Sequence, residues 1–254
     1  MLPVHDPGTS WIWLLMAGFG AGLLGSVAGL ASLLSYPALL AVGLAPVAAN
    51  VTNTVSLVFG AAGSTWGFRP ELNRERRRLY GLAPFALAGG LSGALLLLAL
   101  PAGYFVKAVP LLIGVASLAV LAPRPAHHVG RGQRRSYHPA VVVSVYLIAL
   151  YGGYFGAGAG VALLAVLLAA TSLPVTSSVA VRNLLMGLAN VVAAVSFAAF
   201  GPVHWLAVLP LATGFLAGGR LGPHVVRRAP AGALRVAVAA GGVALAVHLG
   251  TNAY

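Results

Sequence analysis

The chain has 254 residues, 59% of them hydrophobic and 7% charged, with a mean hydropathy of +0.94. Soluble domains carry roughly 25% charged residues, so this composition excludes one. A net charge of +12 coexists with the absence of cysteine, which excludes a disulfide framework and a thiolate metal site.

In chain order, the N-terminus MLPVHDPGTS lacks a basic segment, and the apolar run after it is too long for a signal peptide. It is read as a retained first span. Residues 11–44 are too long for one helix and short for two, with Gly22, Gly25 and Gly29 near the middle. They read as a helix pair broken at glycine, either two short crossings or a re-entrant hairpin. Clear spans are expected at 46–67, 79–100 and 103–122, followed by a basic linker over 123–137. A second glycine-broken pair is expected at 138–173, then spans at 174–200, 203–222 and 231–249. Runs of about 20 apolar residues cross a hydrocarbon core about 30 Å thick as helices. Strand alternation is missing, which selects helices over a closed barrel. The fold class expected is an all-α integral membrane protein with about eight spanning helices.

Charge placement fixes an expected topology. Thirteen of the fifteen Lys and Arg residues lie in or within a few residues of three loops, 69–78, 123–138 and 220–230. Short basic segments between apolar spans are the positive-inside signal, and anionic lipid is their expected neighbour rather than nucleic acid. All three face the cytoplasm only if 138–173 crosses an even number of times. If 11–44 does the same, both termini lie outside and the halves, 1–122 and 138–254, are inserted in opposite orientations. Trp11, Trp13, Trp66 and Trp205 stand at span ends, as an aromatic belt requires.

The halves also match internally. Gly22-Leu-Leu-Gly25-Ser-Val-Ala-Gly29 can be laid over Gly153-Tyr-Phe-Gly156-Ala-Gly158-Ala-Gly160, and each motif is followed by a proline, Pro46 or Pro174. A polar cluster comes after each proline: Asn50, Thr52, Asn53, Thr54 and Ser56, then Thr176, Ser177, Ser178, Arg182, Asn183 and Asn190. Broken helices at matching places in two inverted halves expose helix ends near the midplane, where a transporter holds its substrate.

Asp6, Glu71 and Glu75, the three acids, all fall outside the expected spans, which counts against a cation pump or metal permease. Arg182 is the one arginine outside the three basic groups, and it lies within a span, eight residues after Pro174 and so roughly 12 Å along the helix. It either snorkels to headgroups or meets an anion, and a buried arginine is costly enough to favour a function. Asn50, Asn53, Thr54, Ser178, Asn183 and Asn190 offer neutral hydrogen bonds beside it, although interhelical bonding uses the same residues. Gly25, Gly29, Gly156, Gly158 and Gly160 offer exposed backbone N–H groups, whereas Gly89, Gly90 and Gly93 read as packing sites. His127, His128 and His138 lack metal-ligand spacing, and His204 and His248 read as interfacial, with proton coupling the alternative role for His204. No enzyme signature and no cofactor motif are present.

Gly43-Leu-Ala-Pro46-Val-Ala-Ala-Asn50-Val-Thr52-Asn53-Thr54, with its counterpart from Tyr151 through Gly160 and from Pro174 to Asn183, resembles the sulfite exporter TauE/SafE family of membrane permeases. The likeness runs from about residue 15 to 249 and is most specific at the second glycine motif. It implies a two-halved secondary transporter for sulfite, sulfonate or another small organosulfur anion. Segments 50–54 and 178–183 would then line the substrate path. The chain departs from the family at Gly25-Ser-Val-Ala-Gly29, where glycines are thinned, and at Ser178-Val179. A non-transporting membrane scaffold or assembly factor, whose polar clusters only glue helices, is the competing expectation.

Overall fold

The computed structural model describes residues 7–107, 139–171 and 173–226. Regular structure among them is entirely helical: α1 (Pro7–Ala28), α2 (Ser32–Ala41), α3 (Pro46–Gly67), α4 (Arg69–Arg74), α5 (Arg76–Ala99), α6 (Pro139–Tyr154), α7 (Ala159–Ala170), α8 (Val175–Phe200) and α9 (Trp205–Val226). Residues 102–107 are also helical where the description breaks off. Most of the expected span at 103–122, the linker at 123–137 and the span at 231–249 lie outside the described residues.

Four helices among these are long and apolar enough to cross a membrane: Ser10–Ala28, Leu79–Ala99, Val175–Phe200 and Trp205–Val226. Their apolar side chains do not all turn inward. Val195, Phe200, Leu206 and Ile12 are 66%, 80%, 63% and 66% exposed, a surface that water would not tolerate and lipid would. Helix α3 is 22 residues long, but its Asn50 to Ser56 cluster makes it more polar, and it is buried over that cluster. Tertiary packing against α2, α8 and α9 shelters it.

Both awkward stretches are helix pairs broken at glycine. Helices α2 and α7 have 10 and 12 residues, roughly 15 and 18 Å at 1.5 Å per residue, about half of the hydrocarbon thickness. Helix α1 ends as the Gly29 N–H bonds back to Leu24 O (3.2 Å) and Gly25 O (2.9 Å), with Gly29 left-handed at φ +79°. Helix α6 ends alike, the Gly156 N–H reaching Tyr151 O at 3.1 Å with φ +79°. A left-handed glycine closing a helix end satisfies otherwise orphaned carbonyls without a Cβ clash. The glycines equivalent in conformation are thus Gly29 and Gly156, four residues away from the overlay that spacing suggests.

Segment 69–78, expected to be a loop, is helical instead. Pro70 in the first turn of α4 and the burial of Phe68 and Leu72 beside exposed arginines make this stretch a short amphipathic helix running into α5.

Helix directions follow from close glycine contacts. Gly18 lies on Leu211, Gly22 on Phe215 and Gly219, and Gly222 on Ser26, so α1 and α9 run parallel. Gly60 meets Phe215, Gly63 meets Arg220 and Gly67 meets Pro223, so α3 runs with them. Gly89 lies on Tyr146 and Gly93 on Leu150 and Tyr154, so α5 and α6 run parallel. Ser64 bonds Asn183 while Gly187 touches Ala61, so α8 is antiparallel to α3. Small residues let these backbones approach closely, the packing expected for Gly89, Gly90 and Gly93.

Candidate substrate site

A cavity of about 80 Å³ opens where the α1–α2 break faces α3 and α8. A single water needs about 10–15 Å³, so the space is large enough for more than one water or for a small polyatomic ion.

Helix α8 presents Arg182, Met186 and Asn190 to the cavity at four-residue spacing, with Asn183 and Gly187 alongside. That spacing stacks them along one helix face. Helix α3 supplies Leu57, Gly60, Ala61 and Ser64, and the break supplies Gly25, Ser26, Gly29 and Ser32. Gly156 and Gly160 close the site from the second broken pair, and a Cβ built on Gly29 would lie 2.8 Å from the Gly160 Cα. The two breaks therefore touch, backbone on backbone.

Arg182 is 1% exposed. Its Nη1 donates to Gly25 O at 2.9 Å, and its Nη2 donates to Ser26 O at 3.2 Å and Val27 O at 3.3 Å. These are carbonyls of the last turn of α1, where a helix concentrates partial negative charge. Asn183 Nδ2 donates to Ser26 O at 3.0 Å and to Ser64 Oγ at 2.7 Å, and Ser26 Oγ reaches Ser64 Oγ at 3.1 Å. Arg182 thus does not snorkel to headgroups; it caps the broken end of α1 and lines the cavity. Asn190, 8% exposed, has no side-chain hydrogen bond within the protein among the described residues, and it lines the cavity.

The second break is held in a related way. Asn50 Nδ2 donates to Tyr154 O at 2.9 Å, at the end of α6. Val27 and Tyr154 stand two residues before the left-handed Gly29 and Gly156. Helix α8 therefore caps the end of α1 and α3 the end of α6, with a cation at one break and a neutral amide at the other.

Of the residues expected at the site, Arg182, Asn183, Asn190, Gly25, Gly29, Gly156 and Gly160 line the cavity, whereas Asn50, Asn53, Thr54, Ser178 and Gly158 do not. Asn53 shares a stripe with Leu57, Gly60 and Ser64 but sits one turn past the cavity. There its Nδ2 donates to Ser32 Oγ at 3.1 Å while its Oδ1 accepts from Ser35 Oγ at 2.6 Å. Thr54 Oγ1 donates to Asn50 O at 3.0 Å within α3. Ser178 lies one turn before Arg182, fully buried, its Oγ without a hydrogen-bond partner among the described residues. Gly158, left-handed at φ +76°, starts α7. His204 precedes α9, its backbone N–H donating to Thr52 Oγ1 at 3.0 Å. The other histidines named from the sequence, His127, His128, His138 and His248, lie outside the described residues.

Ser26, Ser32 and Ser64 are site residues that sequence reasoning passes over. Ser26 stands inside the first glycine motif, and Ser64 follows Asn53 by eleven residues, three turns along the same face.

The chain is similar to several proteins named as membrane transporters. The "Probable membrane transporter protein ORF9" of a Sinorhizobium species is 27% identical over 238 residues, covering 93% of this chain and 91% of its own. A "Probable membrane transporter protein" of Haemophilus influenzae is 29% identical over 219 residues, 84% of each chain. The "Probable membrane transporter protein YfcA" of Escherichia coli is 28% identical over 209 residues, 81% of this chain and 77% of its own. No solved structure matches the chain. The Sulfite exporter TauE/SafE profile matches residues 14–249, and the chain belongs to that family of membrane transporters.

Proposed function

We propose that this transporter moves a small anion, of the sulfite, sulfonate or related organosulfur class, through the cavity between α1, α3 and α8. The observation that carries the reading is Arg182, a buried guanidinium beside a space the size of a small oxyanion. Neutral groups with a proton left to donate line the same cavity: the Asn190 amide and the Ser32 and Ser64 hydroxyls. No Asp or Glu occurs in the sequence of α1, α3 or α8, so the cavity wall favours negative charge.

In this reading the guanidinium divides its N–H groups between the end of α1 and the substrate. An anion arriving in the cavity competes with the Gly25, Ser26 and Val27 carbonyls and loosens the cap on the α1 break, which couples occupancy to movement. The halves 1–122 and 138–254 act as inverted repeats joined through 123–137. Support comes from two sets of three helices, α1, α3 and α9 against α5, α6 and α8, that run in opposite directions and pair alike. The chain then sits in the plasma membrane with its three basic segments cytoplasmic, their Lys/Arg excess setting the orientation, and with both termini outside.

Sulfite, thiosulfate and sulfonate uptake into proteoliposomes tests the reading. Wild-type protein should carry at least one of them, and Arg182→Gln should lose that flux by at least about tenfold, the effect of removing roughly 1.4 kcal/mol of anion binding. Equal flux in both proteins would sink the proposal. Absence of any anion flux, with a stable protein partner on purification, would favour the scaffold reading.

A further inference from the structure

We propose that Trp66, Arg69 and Arg220 form a binding site for the phosphate of an anionic phospholipid headgroup. The site stands apart from the cavity and does not depend on which solute is transported.

Trp66 lies at the end of α3 and is 53% exposed. Arg69 opens α4, and Arg220 comes from the last turns of α9. Both guanidinium carbons lie 4.5 Å from the centroid of the Trp66 ring. Two cations attracted to one indole can be no more than about 9 Å apart, by the sum of those distances. Gly63 and Gly67 make this possible, because their missing side chains admit the Arg220 backbone against α3. Neither the Arg69 nor the Arg220 side chain forms a hydrogen bond or ion pair among the described residues. Two like charges gathered on one ring, with their side-chain N–H forks unspent, concentrate positive charge that suits an anion at the edge of the clamp. Planar guanidinium forks match phosphate oxygens well.

Neighbouring apolar residues select a lipid over free phosphate. Phe59, 43% exposed, lies two turns before Trp66 on the same stripe of α3, and Leu216, 43% exposed, lies one turn before Arg220 on α9. The seam between α3 and α9 therefore carries exposed apolar side chains directly membrane-ward of the basic clamp, where an acyl chain would run. Tryptophan at the interface is the usual marker of headgroup depth. The clamp also joins α3 and α4 of the first half to α9 of the second, so a bound lipid would bridge them.

Delipidated full-length protein in detergent tests this by thermal unfolding with added phosphatidylglycerol, phosphatidylcholine, glycerol phosphate or inorganic phosphate. Phosphatidylglycerol should raise the wild-type unfolding temperature with saturation, and phosphatidylcholine should not, since a ligand of the folded state stabilises it. The double variant Arg69→Gln/Arg220→Gln should lose more than half of that rise. Arg76→Gln/Arg77→Gln, which removes equal charge from the same end, should keep it. Equal loss in both double variants would overturn the site in favour of general charge attraction. A full response to glycerol phosphate or inorganic phosphate would overturn the lipid as occupant. Should the first variant fail to fold, a protein retaining Trp66 as its one tryptophan gives a second readout. Its fluorescence should be quenched by brominated phosphatidylglycerol more than by brominated phosphatidylcholine, and equal quenching would overturn the proposal.

Discussion

Arg182 has two tasks that substitution can separate. Lysine keeps the charge but cannot span the Gly25, Ser26 and Val27 carbonyls with a planar fork, whereas glutamine loses the charge. Gly25 O still accepts from the Gly29 N–H and Ser26 O from Asn183, so the loss falls chiefly on Val27 O and the helix-end field. Arg182→Gln should destabilise the protein by about 1–3 kcal/mol, and Arg182→Lys should be less destabilising while retaining part of the flux. Unfolding in detergent beside flux in proteoliposomes separates the two effects; equal behaviour of both variants would contradict the division. Arg182 was legible in the sequence because it was the one arginine that topology left unexplained. The direction of Asn53 was not legible, since its stripe passes through the cavity and only the position of α2 decides where the cavity ends.

Gly29 and Gly43 make a second residue-scale comparison. Both are left-handed, at φ +79° and +91°, but a Cβ on Gly29 would collide with Arg182 and Gly160, while nothing lies within 4 Å of one on Gly43. Gly43→Ala should cost only the backbone strain, about 1–2 kcal/mol. Gly29→Ala should cost that plus the separation of the two breaks, and expression with size-exclusion profiles of the two proteins should rank them in that order.

At the scale of elements, the long helices among the described residues were readable from apolar run length, and so were the breaks, because glycine clusters interrupt runs of the wrong length. What spacing could not supply was the register between the two glycine motifs: they tolerate several overlays, and only the structure shows that Gly29 and Gly156 are the left-handed residues closing α1 and α6, whereas left-handed Gly158 starts α7. Amphipathic α4 was missed because its arginines read as loop while its apolar side is only Phe68 and Leu72. The seams between elements make their own prediction. A Cβ on Gly93 would lie 2.7 Å from the Tyr154 N and still closer to Leu150 O, whereas none of the atoms around Gly103 lies within 4 Å of its Cβ position. Gly93→Ala should therefore lower stability by about 1–3 kcal/mol through overpacking of α5 on α6. Gly103→Ala should be neutral or slightly stabilising, as loss of unfolded-state freedom allows. Thermal unfolding of the pair checks both signs.

For the whole molecule, the charge distribution and the helix directions bear on one question, the relative orientation of the halves. Helix α3 leaves the turn at Ala45 and ends beside Arg69, while α8, antiparallel to it, starts from the turn after Thr171. Phe68, Leu72 and Leu173 share one buried cluster, which brings the start of α8 to the same end as α4. The turns before α3 and α8 should then lie on opposite faces of the membrane. The chain has no cysteine, so single replacements report without background. Ala45→Cys should react with an impermeant maleimide added outside cells, whereas Thr171→Cys and Asn73→Cys should react only after the membrane is opened. Labelling of Ala45 and Thr171 from the same side would contradict the inverted arrangement. It would also break the link between the matched caps on α1 and α6 and a rocking mechanism, since two halves inserted alike could not exchange access by trading equivalent conformations.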